Sequence, residues 1–98
     1  MTDTDKRREY INSMKAKLDD LDEQISKLEQ RGEKVEDSLK QDYRDKLDEL
    51  RQRRAQARDK LNEIRNASEQ EWQKLQGQLE HTWDAAKHSF NYFLSHFK

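Results

Sequence analysis

The sequence has no cysteine, no proline, only two glycines and no long apolar run. Without cysteine there is no disulfide framework, no thiolate nucleophile and no cysteine-based metal site. No stretch approaches the roughly 18 consecutive apolar residues that a membrane span requires. The chain also has almost no net charge, since its 20 Lys and Arg residues are balanced by 21 Asp and Glu residues. The chain as a whole therefore does not attract nucleic acid or anionic lipid, and a charged partner needs a local patch.

Charged residues make up 42% of the chain and hydrophobic residues only 31%. This apolar content is too low for a compact core of the usual size. It is typical either of a disordered polyampholyte or of an extended helical assembly. The scarcity of Pro and Gly and the abundance of Lys, Arg, Glu, Gln, Leu and Ala favour helix. We therefore expect one all-α domain covering residues 1–98.

Six of the eight aromatic residues lie in one segment, between Trp72 and Phe97. The apolar positions of this segment are three or four residues apart, so they share one face of a helix. This predicted interaction or core face consists of Trp72, Leu75, Leu79, Trp83, Phe90, Phe93 and Phe97. The face has to be covered, either by the charged helical region before it, from the same chain or a second copy, or by a membrane surface.

Upstream of the aromatic segment, apolar residues from Ile11 to Ile64 alternate in steps that are mostly three and four. This is the narrow seam of a coiled coil, and it predicts long helices that pack against partner helices. Gly32 marks one place where the chain can turn, because Gly commonly follows a helix end. Ser68 and Glu71 mark another, because they have the spacing of a capping box.

Turns at these two places predict three helices, at residues 5–31, 33–66 and 68–97, that form an antiparallel bundle or coiled coil. The seam stays in phase through both places, so one continuous coiled-coil helix in an oligomer is the alternative. Folding back brings the large aromatic residues opposite smaller or matching ones, which favours the bundle. The predicted antiparallel pairing places Trp83 opposite 53–57, Phe90 and Phe93 near Leu47 and Tyr43, and Glu80 and Asp84 near Arg53, Arg54 and Arg58.

A stripe of arginines follows one side of the second predicted helix: Arg51, Arg54, Arg58 and Arg65. Such a stripe could bind phosphate groups of nucleic acid or lipid. However, it lacks interleaved aromatic residues and lies beside Asp48, Asp59 and Glu63. We interpret it as a solvated or interhelical ion-pairing face, with anion binding as the alternative, and we do not expect nucleic acid to be a partner.

Candidate catalytic and metal-binding residues are scarce. Asp84 and His88 lie one helical turn apart, but a tetrahedral zinc site needs three or four ligands, and His96 is rotated off their face. The sequence has no Gly-rich phosphate loop, no HExxH motif and no Gly-x-Ser-x-Gly motif. We therefore expect no catalytic residues, no metal site and no cofactor.

Three stretches carry a resemblance to known proteins: EYINSMKAKLDDLDEQISKLE, DYRDKLDELRQRRAQARDKLNEI and ASEQEWQKLQGQLEHTWDAAKHSF. In this order they resemble a family of short coiled-coil proteins of cyanobacteria and proteobacteria. The most distinctive shared feature is the pair Trp72 and Trp83, each on a charged helix. The resemblance implies a small helical protein linked to stress, with no established enzymatic activity.

These observations predict a non-enzymatic helical protein that associates with itself or with another protein, and a homo-oligomer is the expected assembly. The alternative is a peripheral protein that lies on a membrane through its aromatic C-terminal helix. Few cations support that alternative, because Lys87 and Lys98 are nearly alone on the polar side of the helix. Glu80 and Asp84 on the same helix would repel anionic lipid. The first ten residues contain no apolar run of the signal-peptide kind, so a cytoplasmic location is expected.

Overall fold

The computed structural model describes residues 3–97, which form three α-helices. They are α1 (Asp3–Gly32), α2 (Asp37–Asn66) and α3 (Trp72–His96). The central helix α2 runs antiparallel to the other two and packs against both. The molecule measures 53 × 19 × 18 Å, whereas one unbroken helix of this chain would be about 140 Å long. The prediction of an all-α bundle is therefore confirmed, and the continuous helix is not observed.

The first turn forms where the sequence predicts it, but Gly32 serves a different purpose from the expected one. None of the described glycines has a positive φ, so Gly32 is not a left-handed helix cap. A Cβ atom at this position would lie 3.0 Å from Cε1 of Tyr43. The Tyr43 hydroxyl donates a hydrogen bond to the Leu28 carbonyl. Glycine is therefore favoured here, because the Tyr43 ring packs closely on the backbone of α1 and leaves little room for a Cβ atom.

Both later helices begin a few residues beyond the predicted positions, α2 at Asp37 instead of 33 and α3 at Trp72 instead of 68. After α1, backbone hydrogen bonds between residues three apart tighten the chain into a turn, such as the bond from the Lys34 N–H to the Arg31 carbonyl at 3.0 Å. Because of this turn, α2 begins later than predicted. Before α3, the Ser68 hydroxyl accepts a hydrogen bond from the Glu71 N–H at 3.2 Å. Ser68 therefore caps the short turn at 69–71 that precedes α3, whereas α3 itself begins after Glu71 without a side-chain cap.

The core consists of two clusters along the bundle axis. The cluster near the α1–α2 turn contains Leu21, Ile25, Leu28, Tyr43, Leu47, Leu50, Ala86 and Phe93. The cluster near the α2–α3 turn contains Met14, Leu18, Ala57, Leu61, Ile64, Trp72 and Leu79. Trp83 packs against both clusters. Most of the predicted seam is thus covered within a single chain.

The pairing of α2 with α3 agrees with the predicted register at its best-defined point. The rings of Tyr43 and Phe93 lie 4.8 Å apart in an edge-to-face arrangement, which is a favourable geometry for aromatic pairs. Phe97 contacts the same tyrosine, with ring centres 4.9 Å apart. The predicted contact between Phe93 and Tyr43 is confirmed.

Candidate binding groove

The N-terminal halves of α1 and α3 are joined by direct contacts. The Tyr10 hydroxyl donates a hydrogen bond to Oε1 of Glu80 at 2.9 Å, and its ring centre lies 6.4 Å from that of Trp72. The Arg7 guanidinium lies 5.7 Å from the Trp72 ring centre and donates to the Ala67 carbonyl at 2.7 Å. We call this region, defined by Arg7, Tyr10 and Trp72, the closed end of the bundle.

The environment of Tyr10 favours its neutral form. Burial of the phenol raises the pKa of Tyr10 above its ordinary value, and the hydrogen bond and negative charge of Glu80 raise it further. Trp72 is only 4% exposed. Its indole N–H has no hydrogen-bond partner among the described residues, so Trp72 contributes through packing and through the contact of its ring with Arg7.

Beyond Lys17, α1 and α3 separate and leave a groove between them. The groove has a volume of about 1020 Å³ and is open to solvent along one side. Every residue that lines it belongs to α1, to the turn after α1 or to α3. We call it the α1–α3 groove, and the part of the bundle that contains it the open end.

The floor of the groove is apolar. Leu21 and Leu28 come from α1, and Trp83, Phe90 and Leu94 come from α3. The two leucines are buried, Trp83 and Phe90 are partly buried, and Leu94 is 38% exposed. The two α1 residues are seven positions apart, and the three α3 residues are seven and four positions apart. These spacings keep the residues on one side of each helix. The open end thus leaves Leu94 exposed and covers Trp83 and Phe90 only in part.

The rim of the groove is cationic. The cations are Lys17, Lys27, Arg31, Lys34 and Lys87, and the acids are Asp20 and Glu33. All five cations are exposed. Only Lys27 has an ion-pair partner in the described part of the chain, Glu23 at 3.9 Å. The groove therefore carries a local net charge of about +3 at neutral pH, in contrast to the net charge of −1 of the whole chain.

The predicted aromatic face is divided between the core and the groove. Trp72, Leu79 and Phe93 are buried in the core. Leu75 is partly buried at the closed end, and Phe97 is partly buried against the cluster that contains Tyr43. Of the predicted face, only Trp83 and Phe90 line the α1–α3 groove. The sequence shows that these residues share one face of α3. It does not show which part of that face α1 leaves uncovered.

The predicted arginine stripe faces α1 over most of its length. Arg54 pairs with Asp22 at 2.9 Å, and Arg58 pairs with the same carboxylate at 2.6 Å. Arg51 pairs with Glu29 at 2.7 Å, and this hydrogen bond is the main cause of the raised pKa of Arg51. The fourth member, Arg65, is exposed. Interhelical ion pairs thus occupy three of the four arginines.

The acids that pair with these arginines come from α1 instead of α3. The predicted pairing placed Glu80 and Asp84 near the stripe, but Glu80 accepts a hydrogen bond from Tyr10 at the closed end. The sequence could not distinguish the two arrangements, because α1 and α3 both carry acids at helical spacing.

Other polar side chains do not form a recognisable site. No group of three or more His, Asp or Glu residues among the described residues is arranged to hold a metal ion. His96 lies 2.9 Å from Asp42 through its Nε2 atom and stacks on Tyr92. Within residues 3–97, no helix combines the length and apolar character needed to cross a membrane.

Comparison with protein-family models, with curated proteins and with solved structures finds no match for this chain. The fold defines it as a three-helix bundle, and the α1–α3 groove is an open, partly apolar surface of that bundle.

Proposed function

We propose that this chain is a non-enzymatic interaction protein whose binding surface is the α1–α3 groove. The observation that carries the proposal is the solvent-open apolar floor, in which Leu94 is exposed and Trp83 and Phe90 are only partly buried. Apolar grooves of this size are common binding sites, and exposed apolar patches on small proteins commonly mark interaction surfaces. The lining contains no Ser–His or Cys–His pair of the kind that activates a nucleophile, which supports binding over nucleophilic catalysis.

Self-association is part of the same proposal. The seam that predicted it is already covered by the other helices of the same chain. A second copy would therefore bind through a surface other than the seam, and the groove is the surface that we propose for it.

The membrane alternative has weaker support, because Phe93 is buried and Phe97 is partly buried, both packed on Tyr43. Lys98, one of the two cations expected to support it, lies outside the described residues. A cytoplasmic location and a link to stress remain proposals of their own. Cell fractionation, with quantification of the protein before and after stress, tests both.

Site-specific photo-crosslinking in cells tests the use of the groove. A benzophenone amino acid replaces Leu94 in the groove, or Leu39 on α2 as the matched control, since the two leucines are 38% and 44% exposed. We expect a specific crosslinked product from position 94 and none from position 39. A product that contains two copies of this chain would support self-association through the groove. Equal products from both positions, or none from position 94, would contradict the proposal.

A further inference from the structure

We infer that the occupant of the α1–α3 groove is an acidic amphipathic helix of a partner protein. This inference rests on the proposed function, namely that the groove is the binding surface, and it adds the chemical class of the partner. Three properties of the groove support it: its shape, the spacing of its apolar floor and the charge of its rim.

The shape fits a helix better than a small amphiphile. The α1 wall extends from Lys17 to Arg31, and Glu33 and Lys34 of the following turn continue the lining. At 1.5 Å per residue the α1 wall is about 21 Å long, the length of a helix of about 14 residues. A small ligand in a typical site has about 70–90% of its surface buried. This groove is open along one side, so an acyl chain in it would stay exposed to water. A helix needs only one face covered, and its other face can remain solvated.

The apolar floor has the periodicity that a helix matches. Leu21 and Leu28 on α1 are seven residues apart, as are Trp83 and Phe90 on α3. Each pair therefore spans about 10.5 Å, or two helical turns. A helix with apolar residues at positions i, i+3 or i+4, and i+7 presents side chains at the same intervals. It would lie against α1 and α3 and complete a four-helix arrangement at the open end.

The charge of the rim selects the chemistry of the partner. Lys27, Arg31 and Lys34 lie on the α1 side of the groove and Lys87 on the α3 side. Acidic residues flanking the apolar stripe of a partner helix would face cations on both sides. A second copy docked groove to groove would instead bring these cations together, and opposed like charges disfavour binding. Charge complementarity therefore favours an acidic helix over a second copy of the chain.

The experiment uses the full chain with Trp72→Phe, so that Trp83 is the only indole and reports on the groove. The substituted Phe keeps the aromatic packing of Trp72 and removes its buried, unpartnered N–H. The probes are two designed helical peptides of about 18 residues, with Leu at the seam positions. One has Glu at the flanking positions, and the other has Lys at the same positions.

We expect the Glu peptide to shift and protect the Trp83 fluorescence and to bind at least about tenfold more tightly than the Lys peptide. The affinity of the Glu peptide should fall as NaCl rises from about 50 mM to about 500 mM, because screening weakens exposed charge pairs.

The substitutions Lys27→Glu, Arg31→Glu and Lys34→Glu together should reverse the preference for the Glu peptide. The matched control is Lys15→Glu, Arg65→Glu and Lys74→Glu, which changes the net charge equally at exposed positions outside the groove. The control should leave the preference for the Glu peptide in place, and circular dichroism melting checks that both variants fold.

The outcomes separate this inference from the proposed function. If both peptides bind equally and charge reversal has no effect, the groove remains a binding surface but the acidic class is wrong. Laurate and anionic lipid vesicles serve as further probes. If only these change the fluorescence of Trp83, the occupant is a lipid and the inference of a partner helix is wrong. If the chain sediments as a dimer with Trp83 already shielded, a second copy fills the groove. If no probe affects Trp83, the proposed function fails as well.

Discussion

At one end of the bundle α1 and α3 are joined through Tyr10, Arg7 and Trp72, whereas at the other end a groove separates the same two helices. Both ends have aromatic residues on α3. They differ in what α1 offers opposite them. At the closed end α1 contributes the large side chains of Arg7 and Tyr10, which reach α3. At the open end it contributes Leu21, Leu28 and exposed cations.

The open end is nevertheless well packed on its other side. Tyr43 of α2 contacts Phe93 and Phe97 of α3 and donates a hydrogen bond to the α1 backbone. The central helix therefore packs against both α1 and α3 at the open end, where side chains of all three helices form one core cluster. The groove is thus a gap on one side of a packed bundle, and stability and binding can be changed separately at the two ends.

The largest expected difference between the ends concerns the two tryptophans. Trp72→Ala should lower the free energy of unfolding by about 3–5 kcal/mol, because Trp72 is buried and a cavity would remain. Trp83→Ala should cost only about 1–2 kcal/mol, because Trp83 is partly buried and its groove side is already solvated. Urea unfolding followed by circular dichroism measures both. Equal losses would show that the two ends are equally closed.

A smaller effect is expected from Tyr10→Phe, which removes the hydroxyl that links α1 to Glu80. The loss should be about 1 kcal/mol at neutral pH. Burial, together with Glu80, raises the pKa of Tyr10 in the folded state, so the folded chain retains a proton that the unfolded chain loses. Stability should therefore be full below about pH 10, the ordinary tyrosine pKa, and decline as pH rises above it.

The urea concentration at the unfolding midpoint, measured between about pH 8 and about pH 11, tests whether ionisation of Tyr10 lowers stability. The two proteins to compare are the unsubstituted chain and Tyr10→Phe. The Tyr10→Phe variant should lose less stability over that range than the parent. Burial also raises the pKa of Tyr43, which remains in both proteins, so the comparison isolates Tyr10. Parallel pH profiles would mean that the Tyr10 hydroxyl contributes nothing to the closed end.

Much of the fold follows from local patterns, and the groove does not. Ser68 with Glu71 predicts the second turn because capping is a local interaction, and the three-four spacing predicts which residues face inward. The contact of Phe93 with Tyr43 follows from the length of the turn between α2 and α3. The gap between α1 and α3 depends instead on side-chain reach across the bundle, as at Tyr10. Spacing along one helix carries no information about that reach.

The two glycines sharpen the comparison further. Gly32→Ala should lower stability by about 1 kcal/mol, because Tyr43 is held by its hydrogen bond and by two aromatic neighbours and cannot move aside easily. A Cβ at Gly77 meets no atom within 4 Å. Gly77→Ala should therefore raise stability by about 0.5–1 kcal/mol through helix propensity. Thermal melting of both variants checks the opposite signs, and a gain at both positions would mean that Tyr43 adapts.

The smallest effect on stability is expected in the groove itself. Leu94→Ser should change the free energy of unfolding by no more than about 0.5 kcal/mol, because Leu94 is exposed. Leu79 on the same helix is 0% exposed, and Leu79→Ser as the control should destabilise the chain strongly. Comparable losses in the two variants would show that Leu94 is covered in solution.

The most direct test of the difference between the two ends is collisional quenching of each tryptophan by acrylamide. Trp72→Phe leaves Trp83 as the only indole, and Trp83→Phe leaves Trp72. We expect Trp83 at the open end to be readily quenched and to emit at longer wavelength, and Trp72 at the closed end to be protected. Equal protection of the two indoles would contradict this expectation, because the groove would then not be open to a partner.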